Sequence, residues 1–149
     1  MFVQEMTPDQ CFALLAQEHV ARLACTHAGK AYVVPIQYVL AGHRIYSFSM
    51  LGQKILWMRQ NPEVCVQADR VEDAHHWKSV VANGHYHEVP DIKGHHDGHM
   101  RAWSLLQSRT NWWEPGGYQP RPHAADGKPV FFFIEVHEVT GRMAAESGE

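Results

Sequence analysis

Along most of this chain, apolar and polar positions either alternate with the two-residue period of a strand or run together as a fully buried strand does. Helical spacing is confined to short stretches. The first lies near the start, where Thr7-Pro8-Asp9-Gln10 carries helix-start chemistry. Thr7 can cap, Pro8 fits the first turn, and Gln10 can close a capping box. Cys11, Leu14, Leu15 and Glu18 follow, with Phe12 alongside, and predict a short helix with one mostly apolar face.

Strands are expected next, over Val20 to Thr26 and Ala31 to Leu40, with Ala28-Gly29 as the turn between them. Ala41-Gly42-His43 makes a second hairpin turn into Arg44 to Ser49, where alternation resumes from Ile45. Gly52 to Gln60 switches to helical spacing through Ile55, Leu56 and Met58, and Asn61-Pro62 stops it. Glu63 to Val71 and Trp77 to Val89 read as two further strands, the second interrupted at Asn83-Gly84. A helix follows from about Lys93 to Ser108.

Residues 110–128 break the pattern. Pro115, Gly116, Gly117, Pro120 and Pro122 forbid regular structure, while Trp112, Trp113 and Tyr118 argue for a functional rather than a disordered loop. Pro129 to Val139 is a nearly continuous apolar run, so both faces of that strand should be covered, and the tail after Arg142 reads as frayed. About six antiparallel strands with short turns and peripheral helices predict a mainly β (α+β) fold, a small closed or partly closed barrel. Residues 1–149 are expected to form one domain.

Composition narrows the function classes. With 149 residues, 45% apolar and 19% charged, the chain is globular and long enough for its own core. No stretch approaches a membrane helix, and the N-terminus has no basic signal region, so the expected compartment is the cytoplasm. Net charge is -3, and no Lys/Arg cluster is present, which disfavours nucleic acid as a partner. Cys11, Cys25 and Cys65 are odd in number and far apart, as buried reduced thiols would be. No GxSxG elbow and no GxGxxG after a strand appears, so a nucleophilic hydrolase and a dinucleotide fold are both disfavoured.

The clearest candidate chemistry lies where the strand ending at Ser49 turns through Gly52 and opens a helix with Lys54 in its first turn. Unsatisfied N–H groups at a helix start attract an anion. Ser49 adds a hydroxyl and Lys54 a charge, an arrangement suited to one terminal phosphate, although an ordinary solvated helix start reads the same way. Pro35 removes a ladder hydrogen bond from an otherwise strong strand. An edge strand, a bulge, or a ladder opened towards a ligand would each account for it.

Several segments taken in order resemble the pyridoxamine 5′-phosphate oxidase-like family of FMN-binding split β-barrels, especially its nitroimidazole-resistance-type branch. They are Tyr32 to Tyr38 (YVVPIQY), Ile45 to Lys54 (IYSFSMLGQK), Asn61 to Val66 (NPEVCV), Trp77 to Val81 (WKSVV) with Gly84, Trp112 to Gly116 (WWEPG), and the closing Val139-Thr140-Gly141-Arg142. The resemblance implies FMN as the cofactor, held at the interface of a homodimer. Val33, Val34, Pro35, Gln37 and Phe48 would flank the flavin. Ser49, Gly52, Gln53 and Lys54 would take its phosphate, with Gln53 standing where the family pattern expects a basic residue. Trp77 and Ser79 would approach from the partner subunit, and Trp113 would cover the ring or shape a substrate pocket.

The reaction class implied is redox, with no protein acid or base required and no catalytic residue assigned. The first reading is an FMN-dependent oxidoreductase acting on a small molecule, such as a nitro-aromatic or quinone-like compound, with NAD(P)H as electron donor. The alternatives are pyridoxamine 5′-phosphate oxidation, for which Arg121-Pro122-His123 offers a stretched version of the expected arginine–histidine pair, and a non-enzymatic flavin- or haem-binding protein. A deazaflavin in place of FMN is a further variant. The chain also has twelve histidines. His85, His87, His95, His96 and His99 cluster near Asp91 and Asp97, but without an HExxH pattern or thiolate partners no metal site is assigned.

Overall fold

The structure, a computed structural model, describes residues 1–89 and 130–146, with Ser104 and Leu106 between them. The described elements, in chain order, are β1 (Phe2–Glu5), α1 (Pro8–Gln17), β2 (Val20–His27), β3 (Lys30–Gln37), β4 (Val39–Ala41), β5 (Arg44–Ser49), α2 (Gln53–Gln60), β6 (Glu63–Asp73), β7 (His76–Val89) and β8 (Val130–Ala145). Every strand pairing is antiparallel, in the order β3-β2-β6-β7-β8-β5-β4, with β1 added alongside β8. Among the described residues no helix is long and apolar enough to cross a membrane.

Local chemistry accounts for the ends of these elements. Thr7 Oγ1 accepts from the Gln10 backbone N–H at 3.2 Å, and Gln10 Oε1 accepts from the Thr7 N–H at 2.8 Å, so the capping box forms in both directions. The β2–β3 hairpin closes through Ala28 and Gly29, both with positive φ (50° and 77°), the backbone that a tight two-residue hairpin of this twist demands. The interruption at Asn83-Gly84 is a register shift between β7 and β8. A Cβ on Gly84 would lie 2.3 Å from the Glu135 carbonyl oxygen, so the neighbouring backbone passes where any side chain would have to stand.

The described residues form eight strands rather than about six, for identifiable reasons. The run Ala31 to Leu40 divides at Tyr38, whose N–H donates to the His19 carbonyl at 3.0 Å and whose hydroxyl donates to the Leu15 carbonyl at 2.6 Å. Beyond it the chain leaves β2 and pairs with β5 as β4. The described part of the tail after Arg142 is strand as far as Ala145, not a frayed end. β8 continues to Ala145 because it is paired on both sides, with β7 as far as Trp77↔Ala144 and with β1 in the register Phe2↔Ala145 to Glu5↔Arg142. Of the helix expected from about Lys93 to Ser108, only Ser104 and Leu106 are described, and both are helical. The rest of it lies outside the described residues, as do the 110–128 loop with Trp113, the histidines 95, 96 and 99, and the pair Arg121 and His123.

One core fills the concave side of the sheet. Leu23, Cys25, Ile36, Ile45, Val66, Ala68, Val80, Ala82, Phe132 and Ile134 meet there, capped by Leu14 and Leu15 of α1 and by Ile55 and Met58 of α2. A smaller cluster of Val39, Tyr46, Leu106 and Phe133, with Phe48 and Val89 against it, packs on the other side of β4, β5 and β8. Strand alternation therefore assigns every sheet residue to one of two surfaces, the interior or the exterior.

Candidate functional site

Alternation separates the residues expected to flank a cofactor. On β3, Ile36 is in the core and Val34, opposite Leu23, shares its side, whereas Val33, Pro35 and Gln37 point to the exterior. Val33 is 60% exposed. Pro35 pairs with Arg22 in an unbroken register, and β3 ends the strand order, so the proline sits on an edge strand without a bulge. On β5, Ser47 faces inward and its hydroxyl donates to the Gln37 carbonyl at 2.7 Å. Phe48 faces outward against Phe131, with ring centroids 5.4 Å apart.

Trp77 and Ser79 lie on the exterior of β7 with Val81, remote in strand order from β3. There they meet residues that the pattern-based reading did not single out as ligands. Ser79 is the cross-strand partner of Arg142 and of Asp69, Arg142 is in turn the partner of Glu5, and Val81 is the partner of Thr140. Together with Met6, Val139 and Gly141 these residues, Asp69 excepted, line an open pocket of about 670 Å³. A smaller hollow of about 180 Å³ lies beyond Trp77, which borders both. Register gives the missing signal: once Ser79 is a candidate, its neighbours on β8 become candidates with it.

A polar chain fixes this surface. Gln67 Nε2 donates to Asp69 Oδ2 at 2.9 Å and to Ser79 Oγ at 3.1 Å, and Arg22 reaches Asp69 at 3.4 Å. Ser79 thus receives a hydrogen bond, and its own proton has no acceptor among the described residues. The side chains of Arg142 and Glu5 likewise form no hydrogen bond or ion pair with a described residue, although their backbones pair in the ladder.

The second expected group, at the start of α2, assembles as the sequence suggests. Gly52 is the N-cap and provides no side-chain cap, so the first N–H groups of the helix are left for another acceptor. Gln53 opens the helix, and Lys54 lies in its first turn, near enough to Cys25 to pull that thiol's pKa down in part against the larger upward effect of burial. The Ser49 hydroxyl donates to the adjacent Met50 carbonyl at 3.0 Å. At the end of β3, Gln37 is 8% exposed, and its Oε1 is buried without a hydrogen-bond partner. Such an atom costs about 1–3 kcal/mol unless something satisfies it.

The thiols and histidines carry no described reaction chemistry. Burial pushes the pKa of Cys11, Cys25 and Cys65 up, which suppresses the nucleophilic thiolate. Cys65 differs from the expectation of a core thiol: it is half-buried and stands on the exterior with Gln67, because β6 alternates. His85 and His87 do share a face, with ring centroids 4.9 Å apart. Each meets a carboxylate: His85 Nδ1 lies 2.7 Å from Glu63, and His87 Nε2 lies 3.5 Å from Glu135. Among the described residues no group of three or more side chains could hold a metal ion.

Comparison with known proteins places this geometry. Residues 7–143 match the family described as pyridoxamine 5′-phosphate oxidase. A protein of Rhizobium meliloti described as uncharacterized is 46% identical over 146 residues, covering 97% of each chain. The crystal structure of a FAD-binding protein from Mesorhizobium loti is 43% identical, with a TM-score of 0.83 over 97% of this chain and 100% of that one. A FAD-binding protein from Mycobacterium smegmatis shares the fold at 17% identity, with a TM-score of 0.66 over 93% and 98% of the two chains. The antiparallel sheet with its two described helices is the split β-barrel, and the chain belongs to the pyridoxamine 5′-phosphate oxidase family.

Proposed function

From membership of that family, we propose that the protein binds a flavin, FMN in the first instance, and acts as an oxidoreductase on a small molecule. The observation that carries the reading is the conjunction of an uncapped α2 start bearing Lys54 with a buried, unpartnered Gln37 Oε1 at the end of β3, the Gln37 carbonyl accepting from Ser47 on the strand that leads into α2. The FAD-binding relative from Mesorhizobium loti supports flavin as the cofactor class. These residues fit such a group. Backbone N–H groups and an ammonium suit its phosphate, and an orphaned amide oxygen suits a polar N–H or hydroxyl.

A bound flavin supplies hydride or electron transfer. The chain's own residues bind and orient. Lys54 and the first turn of α2 hold the anionic end, and Ser49 can exchange its bond to the Met50 carbonyl for the same anion. Val33, Pro35 and Phe48 offer apolar surface that excludes water. In a homodimer the exterior face bearing Trp77 and Ser79 on one protomer would close over the β3 face of its partner. Reduction of a nitro-aromatic or quinone-like compound by NAD(P)H is the reaction such a site would run.

The test begins with the visible absorbance of the purified protein and a fluorescence titration of its apo form with FMN. Saturable quenching is expected, and Lys54→Ala should weaken binding by about 1–3 kcal/mol, the scale of a charge-assisted contact. Wild-type affinity in that variant would remove the phosphate assignment. A protein that ignores both FMN and FAD would remove the flavin reading altogether.

A further inference from the structure

The flavin reading uses none of the twelve histidines, and β7 carries two of them as His85-Tyr86-His87. Alternation buries Tyr86 in the core and leaves both imidazoles on the sheet exterior, 35% and 42% exposed. They lie past the register shift at Asn83/Gly84. At about 3.3 Å per residue that is about 20 Å along β7 from Ser79, outside the face that bears Trp77. Register surrounds His85 with carboxylates, because Glu63 of β6 and Glu135 of β8 are its cross-strand partners. The same register shift makes His137 the extra residue of β8, since Asn83 pairs with Glu138 and Gly84 with Val136. Its ring centroid lies 6.4 Å from that of His85.

Each ring is held by its neighbours. His85 Nδ1 lies 2.7 Å from Glu63 Oε1, and an ionised carboxylate only accepts, so Nδ1 carries a proton and the neutral ring keeps its lone pair on Nε2. A carboxylate behind an imidazole is the arrangement that orients metal-ligating histidines. His87 stacks on Phe133 at 4.9 Å and 20°, with its Nε2 3.5 Å from Glu135. The two imidazole centroids are 4.9 Å apart. An ion about 2.0–2.1 Å from one nitrogen of each ring would hold the centroids about 4.5–5.2 Å apart, for ligand angles between square and tetrahedral. The pair meets that spacing, and His137 falls outside it. The geometry points to a two-imidazole chelate for a divalent transition metal, zinc(II) or copper(II), with Glu63 as a positioning residue. Among the described residues no third side chain completes the site, so water or an exogenous ligand fills its other positions. Two carboxylates stand near it against one guanidinium, Arg44, which is engaged over the Phe133 ring at 4.5 Å. The site is independent of the flavin reading.

The test uses the full chain, purified without a histidine tag and stripped with a chelator. Zinc(II) and then copper(II) are titrated in competition with a chromophoric chelator. One equivalent per chain should bind, copper(II) more tightly than zinc(II) as the usual order of divalent affinities requires. His85→Ala and His87→Ala should each weaken zinc(II) at least tenfold, because either change leaves a single imidazole. Glu63→Ala should give a smaller loss in the same direction, through the orientation of His85. A control with His75→Ala and His76→Ala together, at the far end of β7, should leave the affinity unchanged. Circular dichroism checks that each variant is folded, and both imidazoles are exposed enough for that outcome. Electron paramagnetic resonance of the copper(II) form should show coupling to two imidazole nitrogens in wild type and to one in either single variant. Absence of stoichiometric binding overturns the site. Wild-type affinity in either His85→Ala or His87→Ala also overturns it, as does an equal loss in the control, since the ion would then be adventitious only.

Discussion

The interior and exterior faces of β2, β6 and β7 are built from alternate residues of the same strands, yet they obey different rules. Leu23, Val66, Ala68, Val80 and Ala82 are fully buried and wholly apolar. One position along on each strand lie Arg22, Gln67, Asp69, Ser79 and Val81, a surface that is polar, hydrogen-bonded within itself and continuous with an open pocket. The inner face specifies the barrel through packing. The outer face is free of that duty and can carry recognition chemistry. A substitution on one face should therefore change stability and on the other change binding, with little crossing over.

The largest effect belongs to the interior. Phe132 is fully buried and packs against Tyr86, with ring centroids 5.3 Å apart. Phe132→Ala removes a whole ring from a close-packed site, and urea unfolding should show a loss of about 3–5 kcal/mol. A loss below about 1 kcal/mol would mean that the interior is loosely packed and that the division of labour between the faces is wrong.

The same division explains what could be read in the sequence. Interior strands announce themselves through alternation, and turns through residues that tolerate positive φ, so β2, β5, β6, β7 and the Ala28-Gly29 hairpin were legible. So was α1, because its capping box is written in neighbouring residues. What failed depended on partners distant in sequence. β1 is short and wholly exposed, and it is a strand through its pairing with Arg142 to Ala145, while the end of β8 is held by both β1 and β7. Tyr38 looks like any strand residue until Leu15 and His19 draw it aside. The α2 start was legible as a local motif, whereas the place of Arg142 and Thr140 beside Ser79 depends on a register that no local pattern encodes.

A smaller effect is expected on the exterior. Ser79→Ala leaves Gln67 its bond to Asp69, so stability should stay within about 0.5 kcal/mol of wild type in the same urea experiment. Ligand affinity should fall by about 0.5–1.5 kcal/mol, the net worth of one neutral hydrogen bond. A stability loss comparable to that of Phe132→Ala would make Ser79 a structural residue and dissolve the contrast between the faces.

The smallest expected effect is a difference in rate, and it reports what covers the exterior. Cys25 is fully buried inside the barrel, and Cys65 is half-buried outside it. Burial raises the pKa of both, so the reactive thiolate is scarce below about pH 8.5 and grows as pH rises towards the elevated value. Mass spectrometry after brief alkylation at pH 8 should find Cys65 modified first and Cys25 untouched, with the Cys65 rate increasing at higher pH. In a homodimer that closes over this face, Cys65 should be slower in concentrated protein than in a dilution series that light scattering shows to be monomeric. A Cys65 rate that ignores concentration while light scattering reports a dimer would place the subunit contact elsewhere on the barrel. The Trp77–Ser79 face would then be open to small ligands alone.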